Sequence, residues 1–140
     1  MTRMVRDVMT PNPLTVTSSV SIAEVAQQMR DGDVGAIIVQ NDGAIAGIVT
    51  DRDIAIRAVA DRRDPETPVG EICSPNLVGL EPSATVEAAT TLMKDNAVRR
   101  LPVVEGGRPI GIVSLVDLVA AKERDVGKVL AGISAAPPNR

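Results

Sequence analysis

Residues 47–53 read GIVTDRD, and residues 111–117 read GIVSLVD. The two copies lie 64 residues apart, and the same offset aligns residues 5–61 with residues 69–125 without a gap. A repeat of this length exceeds the about 20–50 residues of solenoid and propeller repeats, so two copies predict a pseudo-two-fold pair that shares one core. Identical pairs in this register include Pro11/Pro75, Asn12/Asn76, Ser19/Ser83, Met29/Met93, Gly43/Gly107, Gly47/Gly111 and Asp53/Asp117.

Each copy begins with a short extended segment followed by an amphipathic helix. The extended segments are predicted at residues 14–17 and 78–80. In the helices that follow, apolar residues recur at i, i+3, i+4 and i+7, which brings them to one face. Ser21 and Glu24 have the spacing of a capping box, so the first helix is predicted to begin just after Ser21.

The second half of each copy predicts a β-hairpin and another helix. Two apolar runs flank a Gly-containing turn, at residues 41–43 in the first copy and 105–107 in the second. Nearly every position in these runs is apolar, as in strands that are covered on both faces. A second helix is predicted to start near Asp51 and near Leu115. The expected fold class is therefore α/β (α+β), with two β-α-β-β-α repeats related by pseudo-two-fold symmetry.

These patterns divide the chain into four parts. Repeat 1 is predicted at residues 5–61 and repeat 2 at residues 69–125. The segment between them, residues 62–68, is charged and contains two prolines, which is typical of a linker. Residues 126–140 are predicted to form a C-terminal tail that is partly disordered.

Composition excludes several classes of function. The hydrophobic residues, 44% of the chain, include no Phe, Tyr or Trp, so the core has to be aliphatic and no bound ring could stack on an aromatic side chain. A net charge of −3 argues against general nucleic-acid binding, which needs Lys and Arg to neutralise phosphates. No stretch has the apolar length of a signal peptide or a membrane span, so we expect a cytoplasmic protein with no membrane contact.

The sequence also lacks the residues of common catalytic and metal sites. It has no histidine, no paired cysteines and none of the usual hydrolase or nucleotide-hydrolysing motifs. The single cysteine, Cys73, aligns with Met9 and is predicted to be a small hydrophobic residue. Helix capping accounts for the carboxylates of Asp51, Asp53 and Asp117. We therefore expect a protein that is not an enzyme and that requires no cofactor or metal.

The repeated motifs resemble those of the CBS domain family. Residues 8–11 read VMTP, residues 31–36 read DGDVGA and residues 96–104 read NAVRRLPVV, as at the entry and second strand of that family. The two copies quoted at the outset match its G-h-h-[ST]-x-x-D signature, where h is hydrophobic. The resemblance covers residues 5–124 and implies a tandem CBS pair, which is a nucleotide-sensing module.

The G-h-h-[ST]-x-x-D motif allows two interpretations. A Ser or Thr before a helix and an Asp three residues later form a capping box, which needs no ligand. The same helix start offers N–H donors to an anion. By the resemblance, Asp53 and Asp117 hold a ribose, and Thr50 and Ser114 contact ribose or phosphate. Asp51 is a further candidate for the same nucleotide site.

In the family each cleft is built from both repeats. The resemblance therefore implies that the Asp117 cleft is also lined by Ser18, Ala23, Val34 and Gly35 from the first repeat.

Two adjacent arginines point to a phosphate. By the resemblance, Arg99 and Arg100 bind nucleotide phosphates, although a solvated pair or an ion pair with Asp95 or Glu105 is the alternative. The first repeat has only Gly35 and Ala36 at the matching positions. Its Arg52 could partly compensate, or could be ordinary exposed surface. We therefore predict unequal clefts, with a good phosphate site at Ser114 and Asp117 and a weaker one at Thr50 and Asp53.

The function implied by the resemblance is that of a small regulatory sensor. Its ligand would be an adenine nucleotide (AMP, ADP or ATP) or a related adenosyl compound, bound between the repeats. The family also implies a homodimer that signals to an unidentified downstream protein. The alternative is a scaffold that binds no ligand and acts through protein–protein contacts.

Overall fold

The computed structural model describes residues 3–75 and 78–130, except for the side chains of residues 125–130. The strands are β1 (Thr10–Pro11), β2 (Thr15–Thr17), β3 (Ala36–Asn41), β4 (Ala44–Thr50), β5 (Ser74–Pro75), β6 (Arg100–Glu105) and β7 (Arg108–Ser114). The helices are α1 (Ile22–Gly32), α2 (Asp51–Asp53), α3 (Val86–Asn96) and α4 (Leu115–Leu130), with α2 continuing as a π-helix over Ile54–Val59. Single 3₁₀ turns lie at Val5–Asp7 and Val69–Glu71. The predicted mixed fold with two repeated units is confirmed.

The two predicted hairpins are present, and their turns explain the glycines. β3 pairs antiparallel with β4, and β6 pairs antiparallel with β7 in the same register. Asp42 and Gly43 have φ of 52° and 80°, and Gly106 and Gly107 have φ of 59° and 79°. Two successive left-handed residues match the twist of the flanking strands, so each turn connects its strands directly.

The entry segment of each repeat crosses over to the sheet of the other repeat. β1, from repeat 1, pairs antiparallel with β7, and β5, from repeat 2, pairs antiparallel with β4. The sheets therefore have the orders β2-β3-β4-β5 and β1-β7-β6. The cores follow the same exchange, because Val69 is fully buried in the first core and Val5 is fully buried in the second. The two repeats thus form one interlocked unit.

Aliphatic side chains fill the cores, as predicted, but each sheet has its own core cluster where one shared core was expected. The first core packs α1 and the π-helix against the first sheet, and the second core packs α3 and α4 against the second sheet. Between the sheets, Ile38, Ile48 and Ile112 form a third buried cluster. This cluster joins the repeats directly.

The first helix of each repeat is capped in the same way. Of the predicted capping box, the hydrogen bond from the Glu24 N–H to Ser21 Oγ is present at 3.1 Å. In the second repeat the Ala88 N–H donates to Thr85 Oγ1 at 3.0 Å. The linker supplies further caps to α1, because the Ile22 N–H donates to the Thr67 carbonyl at 2.9 Å. The charged linker is therefore tied to repeat 1.

The second helices break the symmetry of the repeats. α4 is a regular helix whose buried residues include Leu118 and Ala121, three positions apart. In repeat 1 the π-helix adds a residue to the turn, so that Ala58, four positions after Ile54, is fully buried. Arg57, which aligns with Ala121, is thereby kept out of the core. Its side chain is 51% exposed and lies 3.8 Å from Asp53 Oδ1.

The C-terminal helix continues past the end of repeat 2 that the sequence predicted. α4 runs to Leu130, five residues beyond the predicted boundary at residue 125. The prediction of a disordered tail falls largely on residues 131–140, which lie outside the described residues. Within the described chain, no helix has the length and apolar character needed to cross a bilayer.

Candidate functional site

Both copies of the repeated motif form complete capping boxes. Thr50 Oγ1 accepts from the Asp53 N–H at 3.1 Å, and Asp53 Oδ2 accepts from the Thr50 N–H at 2.9 Å. Ser114 and Asp117 make the same two bonds at 3.1 and 2.9 Å. The capping interpretation is therefore correct. Capping leaves both carboxylates able to accept further hydrogen bonds, because an ionised carboxylate offers about four acceptor positions on its two oxygens.

A cavity of about 360 Å³ opens beside the first capping box, and we call it the Thr50 cavity. Thr50, Arg52 and Asp53 line it from repeat 1. Arg99 and Arg100 line it from the other repeat. Its volume lies within the about 300–1,000 Å³ of small-molecule sites. Three guanidinium groups and one carboxylate make it a site that favours anions.

A second cavity, also about 360 Å³, opens beside the other capping box, and we call it the Ser114 cavity. Ser114 and Asp117 line it from repeat 2, and Val34 and Gly35 line it from repeat 1, as predicted. Its charged lining residues among the described part of the chain are Asp33, Asp117 and Arg100. The two cavities are therefore equal in size and different in charge.

The structure corrects the predicted pairing of the arginines with the Ser114 and Asp117 cleft. Arg99 lines the Thr50 cavity, and Arg100 lines both cavities. The reason is that each cavity takes its second wall from the opposite repeat. The approach to β6, which contains Arg99, faces the end of β4, while the approach to β3, which contains Gly35, faces the end of β7. Of the two arginines expected at Ser114 and Asp117, Arg100 lines that cavity and Arg99 does not, so more arginines lie at the other cavity.

Ser18 and Ala23 are not brought to the Ser114 cavity. The Ser18 carbonyl accepts from the Gly70 N–H at 2.9 Å, and a Cβ at Gly70 would lie 2.9 Å from Ser18 Cβ. The Ala23 N–H donates to the Pro65 carbonyl at 3.1 Å. Ser18 thus packs against the start of repeat 2, and Ala23 is bonded to the linker. Neither is among the residues that line the Ser114 cavity.

Asp51 lies close to the Ser114 cavity without lining it. Its Oδ1 accepts from the Arg52 N–H at 2.8 Å, and its backbone N–H donates to the Gly35 carbonyl at 3.0 Å. A Cβ at Gly35 would lie 3.3 Å from Asp51 Oδ2, so glycine lets this carboxylate approach the backbone. The described contacts of Asp51 thus hold the residue before β3 in place.

Several lining residues were missed by the sequence reasoning. Ser74 and Pro75 of β5 line the Thr50 cavity, and Asn12 and Asp33 line the Ser114 cavity. The identity of Pro11 with Pro75 in the repeat register was a usable signal for the entry strands. Asp33 ends α1 in the left-handed conformation, with φ of 52°, and its place in the cavity follows from that turn.

A glycine in each signature admits the exchanged strand. A Cβ at Gly47 would overlap the Ser74 carbonyl oxygen and lie 3.1 Å from the Ser74 carbonyl carbon. A Cβ at Gly111 would overlap Met9 Sδ and lie 3.0 Å from the Thr10 carbonyl oxygen. The first residue of the signature is therefore small because another backbone crosses it. The crossing brings β5 and β1 to the cavities.

Cys73 lies beside the Thr50 cavity and is packed against the first core. Burial raises the pKa of its thiol, and the negative charge of Asp53 raises it further. Its Sγ lies 3.7 Å from the Gly70 carbonyl oxygen. A thiol in this environment stays protonated and serves as a small apolar group, in line with the sequence prediction.

Known proteins match the chain over nearly its whole length. The family model described as CBS domain matches it twice, at residues 5–59 and 69–124. It is 41% identical over 132 residues to the CBS domain-containing protein YhcV of Bacillus subtilis (strain 168), which covers 93% of this chain and 94% of that protein. It is also 33% identical over 115 residues to Hypoxic response protein 1 of Mycobacterium tuberculosis (strain CDC 1551 / Oshkosh), with 81% and 80% covered.

Solved structures show the same fold. The CBS-domain containing protein ATU1752 from Agrobacterium tumefaciens superposes with a TM-score of 0.73 at 31% identity, over 86% of this chain and 99% of that chain. A crystal structure of Hypoxic Response Protein I with two coordinated zinc ions gives a TM-score of 0.71 at 31% identity, over 84% and 97%. The sequence has no histidine and one cysteine, and the part of the chain described shows no cluster of metal-ligating side chains.

Proposed function

The chain belongs to the CBS domain family, and from this premise we propose that it is a small regulatory sensor that binds an adenosine-type nucleotide between its repeats. The ligand class is AMP, ADP, ATP or a related adenosyl compound. The protein acts by binding and not by catalysis, works in the cytoplasm and requires no cofactor. Occupancy is passed to an unidentified downstream protein.

The observation that carries this proposal is the pair of equal cavities, each of which has the aspartate of a capping box at its edge. In each aspartate the cap uses Oδ2, and the carboxylate retains capacity to accept from the two adjacent hydroxyl groups of a ribose. Residues of both repeats line each cavity, so a ligand contacts both halves at once. Binding therefore stabilises one relative position of the repeats, which is what a sensor requires.

The proposal assigns the phosphates of the ligand to the Thr50 cavity, because its described lining has the larger number of arginines. Arg52 and Arg99 are exposed side chains at its rim, and Arg100 is half-buried. Hydrogen bonds between a guanidinium and a phosphate are charge-assisted and often bidentate. A nucleotide in this cavity would thus be held by Asp53 at the ribose and by arginines at the phosphate.

Isothermal titration of the purified protein with ATP, ADP, AMP and adenosine tests the proposal. Arg99→Gln should weaken the binding of ATP about tenfold or more, because each lost charge-assisted hydrogen bond is worth about 1.5–3 kcal/mol. It should weaken the binding of adenosine less than threefold, because adenosine has no phosphate. Asp53→Asn keeps an oxygen acceptor for the cap and should weaken all four ligands at this cavity. The matched control is Asp117→Asn, which changes the same residue type in the other cavity and should leave tight ATP binding in place.

Two results would contradict the proposal. The first is no measurable heat, and no thermal stabilisation, with any of the four compounds at millimolar concentration. The second is equal loss of ATP and adenosine affinity in Arg99→Gln, which would show that Arg99 does not contact phosphate.

The proposal includes a homodimer, which the exposed apolar residues of the second helices support. Val116 and Val119 of α4 are 75% and 48% exposed, and Ile56 and Val59 of the π-helix are 53% and 70% exposed. Apolar residues grouped on equivalent helices of both repeats are typical of an association surface. A two-fold dimer would cover both helices of each protomer.

Sedimentation velocity tests this part separately. Val116→Asp should shift the protein from dimer to monomer, while Ala26→Asp, which adds the same charge to an exposed position of α1, should leave the dimer intact. A monomeric wild-type protein at 50 µM, on the order of a weak interface's dissociation constant, would refute the dimer. A dimer that binds no nucleotide would support the alternative function, a scaffold that acts through protein contacts.

A further inference from the structure

The two cavities differ in the charge of the groups that face a ligand. Among the described lining residues, the Thr50 cavity has three arginines and one aspartate. The Ser114 cavity has one arginine and two aspartates. The volumes are the same, about 360 Å³ each, so size does not distinguish the ligands of the two cavities. The charge of the lining residues is what distinguishes them.

The aspartates of the Ser114 cavity disfavour a phosphate. Asp117, which forms the capping box, lines the cavity from repeat 2, and Asp33, at the end of α1, lines it from repeat 1. A phosphate between two carboxylates is repelled by both, and a partly enclosed site screens this repulsion less than bulk water does. A ligand without phosphate, or one with a positive charge, meets no such repulsion.

Arg100 is the charged side chain common to both linings within the described residues. It opens β6 and pairs with Ser114 of β7, so its backbone is fixed between the cavities. A phosphate in the Thr50 cavity would offset the positive charge of Arg100, which would then counter the two aspartates of the Ser114 cavity less.

We propose that the two cavities select ligands of different charge and are coupled through Arg100. The Thr50 cavity takes an adenine nucleotide with several phosphates, and the Ser114 cavity takes an adenosine-type ligand without phosphate or with a positive charge. A polyphosphate in the first cavity further excludes phosphate from the second. This inference rests on the proposed nucleotide-binding function and adds the ligand class and the coupling.

The charge preference is tested by isolating each cavity. Asp117→Asn protein retains the Thr50 cavity and should bind ATP at least tenfold more tightly than adenosine. Protein with Asp53→Asn, Arg52→Gln and Arg99→Gln together lacks the ribose acceptor and two arginines of the Thr50 cavity, and it should show the reverse order, with adenosine or S-adenosylmethionine at least tenfold tighter than ATP. Titration calorimetry of both proteins with all three compounds measures the two ratios.

The coupling is tested with AMP as the probe of the Ser114 cavity. AMP should bind there about tenfold more weakly in wild-type protein saturated with ATP than in Asp53→Asn protein, a typical size for coupling between sites. Arg100→Gln should reduce this difference to less than threefold. Arg99→Gln is the matched control, because Arg99 lines the Thr50 cavity and not the Ser114 cavity. At saturating ATP, this variant should preserve the tenfold difference in AMP affinity.

Each outcome has one meaning. The same order of ATP and adenosine in both isolated cavities would overturn the charge preference while leaving nucleotide binding in place. Equal coupling in wild-type and Arg100→Gln proteins would overturn the role of Arg100. No binding of any compound to any of the proteins would instead refute the proposed function itself.

Discussion

Replacing Gly47 by Ala should separate the exchanged strand β5 from the first sheet. The new Cβ would overlap the Ser74 carbonyl oxygen, which is backbone and cannot move without displacing β5. Forcing an extra methyl group into a packed site costs about 1–3 kcal/mol, and a lost strand hydrogen bond adds about 1 kcal/mol. Alanine in a strand recovers about 0.5–1 kcal/mol relative to glycine. We expect a net loss of about 2 kcal/mol in the free energy of unfolding, within a range of about 1–3.5 kcal/mol.

Gly111→Ala is the matched control, since Gly111 holds the equivalent position in repeat 2. Its new Cβ would overlap Met9 Sδ, which is the end of a flexible side chain and can rotate away. The Thr10 carbonyl oxygen, 3.0 Å from that Cβ, has to shift only by a few tenths of an ångström. We expect a loss of about 1 kcal/mol.

Urea denaturation followed by circular dichroism measures both losses. With about 3–4 °C per kcal/mol for a domain of this size, the melting temperature should fall by about 6–8 °C in Gly47→Ala and by about 3–4 °C in Gly111→Ala. Ser74 lines the Thr50 cavity, so Gly47→Ala should also weaken ATP binding more than Gly111→Ala does. Equal losses of stability in the two variants, or a loss below 1 kcal/mol in Gly47→Ala, would refute the argument from the strand crossing.

Two further predictions concern a helix cap and the thiol. Ser21→Ala removes the acceptor of the Glu24 N–H and should lower the free energy of unfolding by about 1 kcal/mol in urea titrations, as should Thr85→Ala at the equivalent cap. No change would show that backbone carbonyls alone cap the helix, that of Thr67 at α1 and that of Arg3 at α3. Alkylation of Cys73 by iodoacetamide at pH 8 should be slower than that of glutathione, because burial and Asp53 raise the pKa of the thiol. Since the raised pKa favours the protonated thiol in the folded state, its contribution to stability is present below the ordinary thiol pKa and is lost as the pH rises through the raised one. A stability that increases with pH in that range would contradict the shift.

Local patterns in the sequence were sufficient for the elements of each repeat. The Gly-containing turns at residues 42–43 and 106–107 specify their hairpins, and Ser21 marks the start of α1, because these signals act within a few residues. The internal repeat and the signature also identified the cavity edges at Thr50, Asp53, Ser114 and Asp117.

The pairing of walls across the cavities depended on the tertiary structure. The register of the repeat places Arg99 beside its own signature in the sequence, but the interlocked sheets turn it toward the signature of the other repeat. The same exchange moved Ser18 and Ala23 away from the cavity, and the π-helix moved Arg57 out of the core position that its alignment with Ala121 implied. These features are set by packing between segments distant in the chain. Aligning the two repeats shows which residues are equivalent. Which residues touch depends on which surfaces pack together in the folded protein.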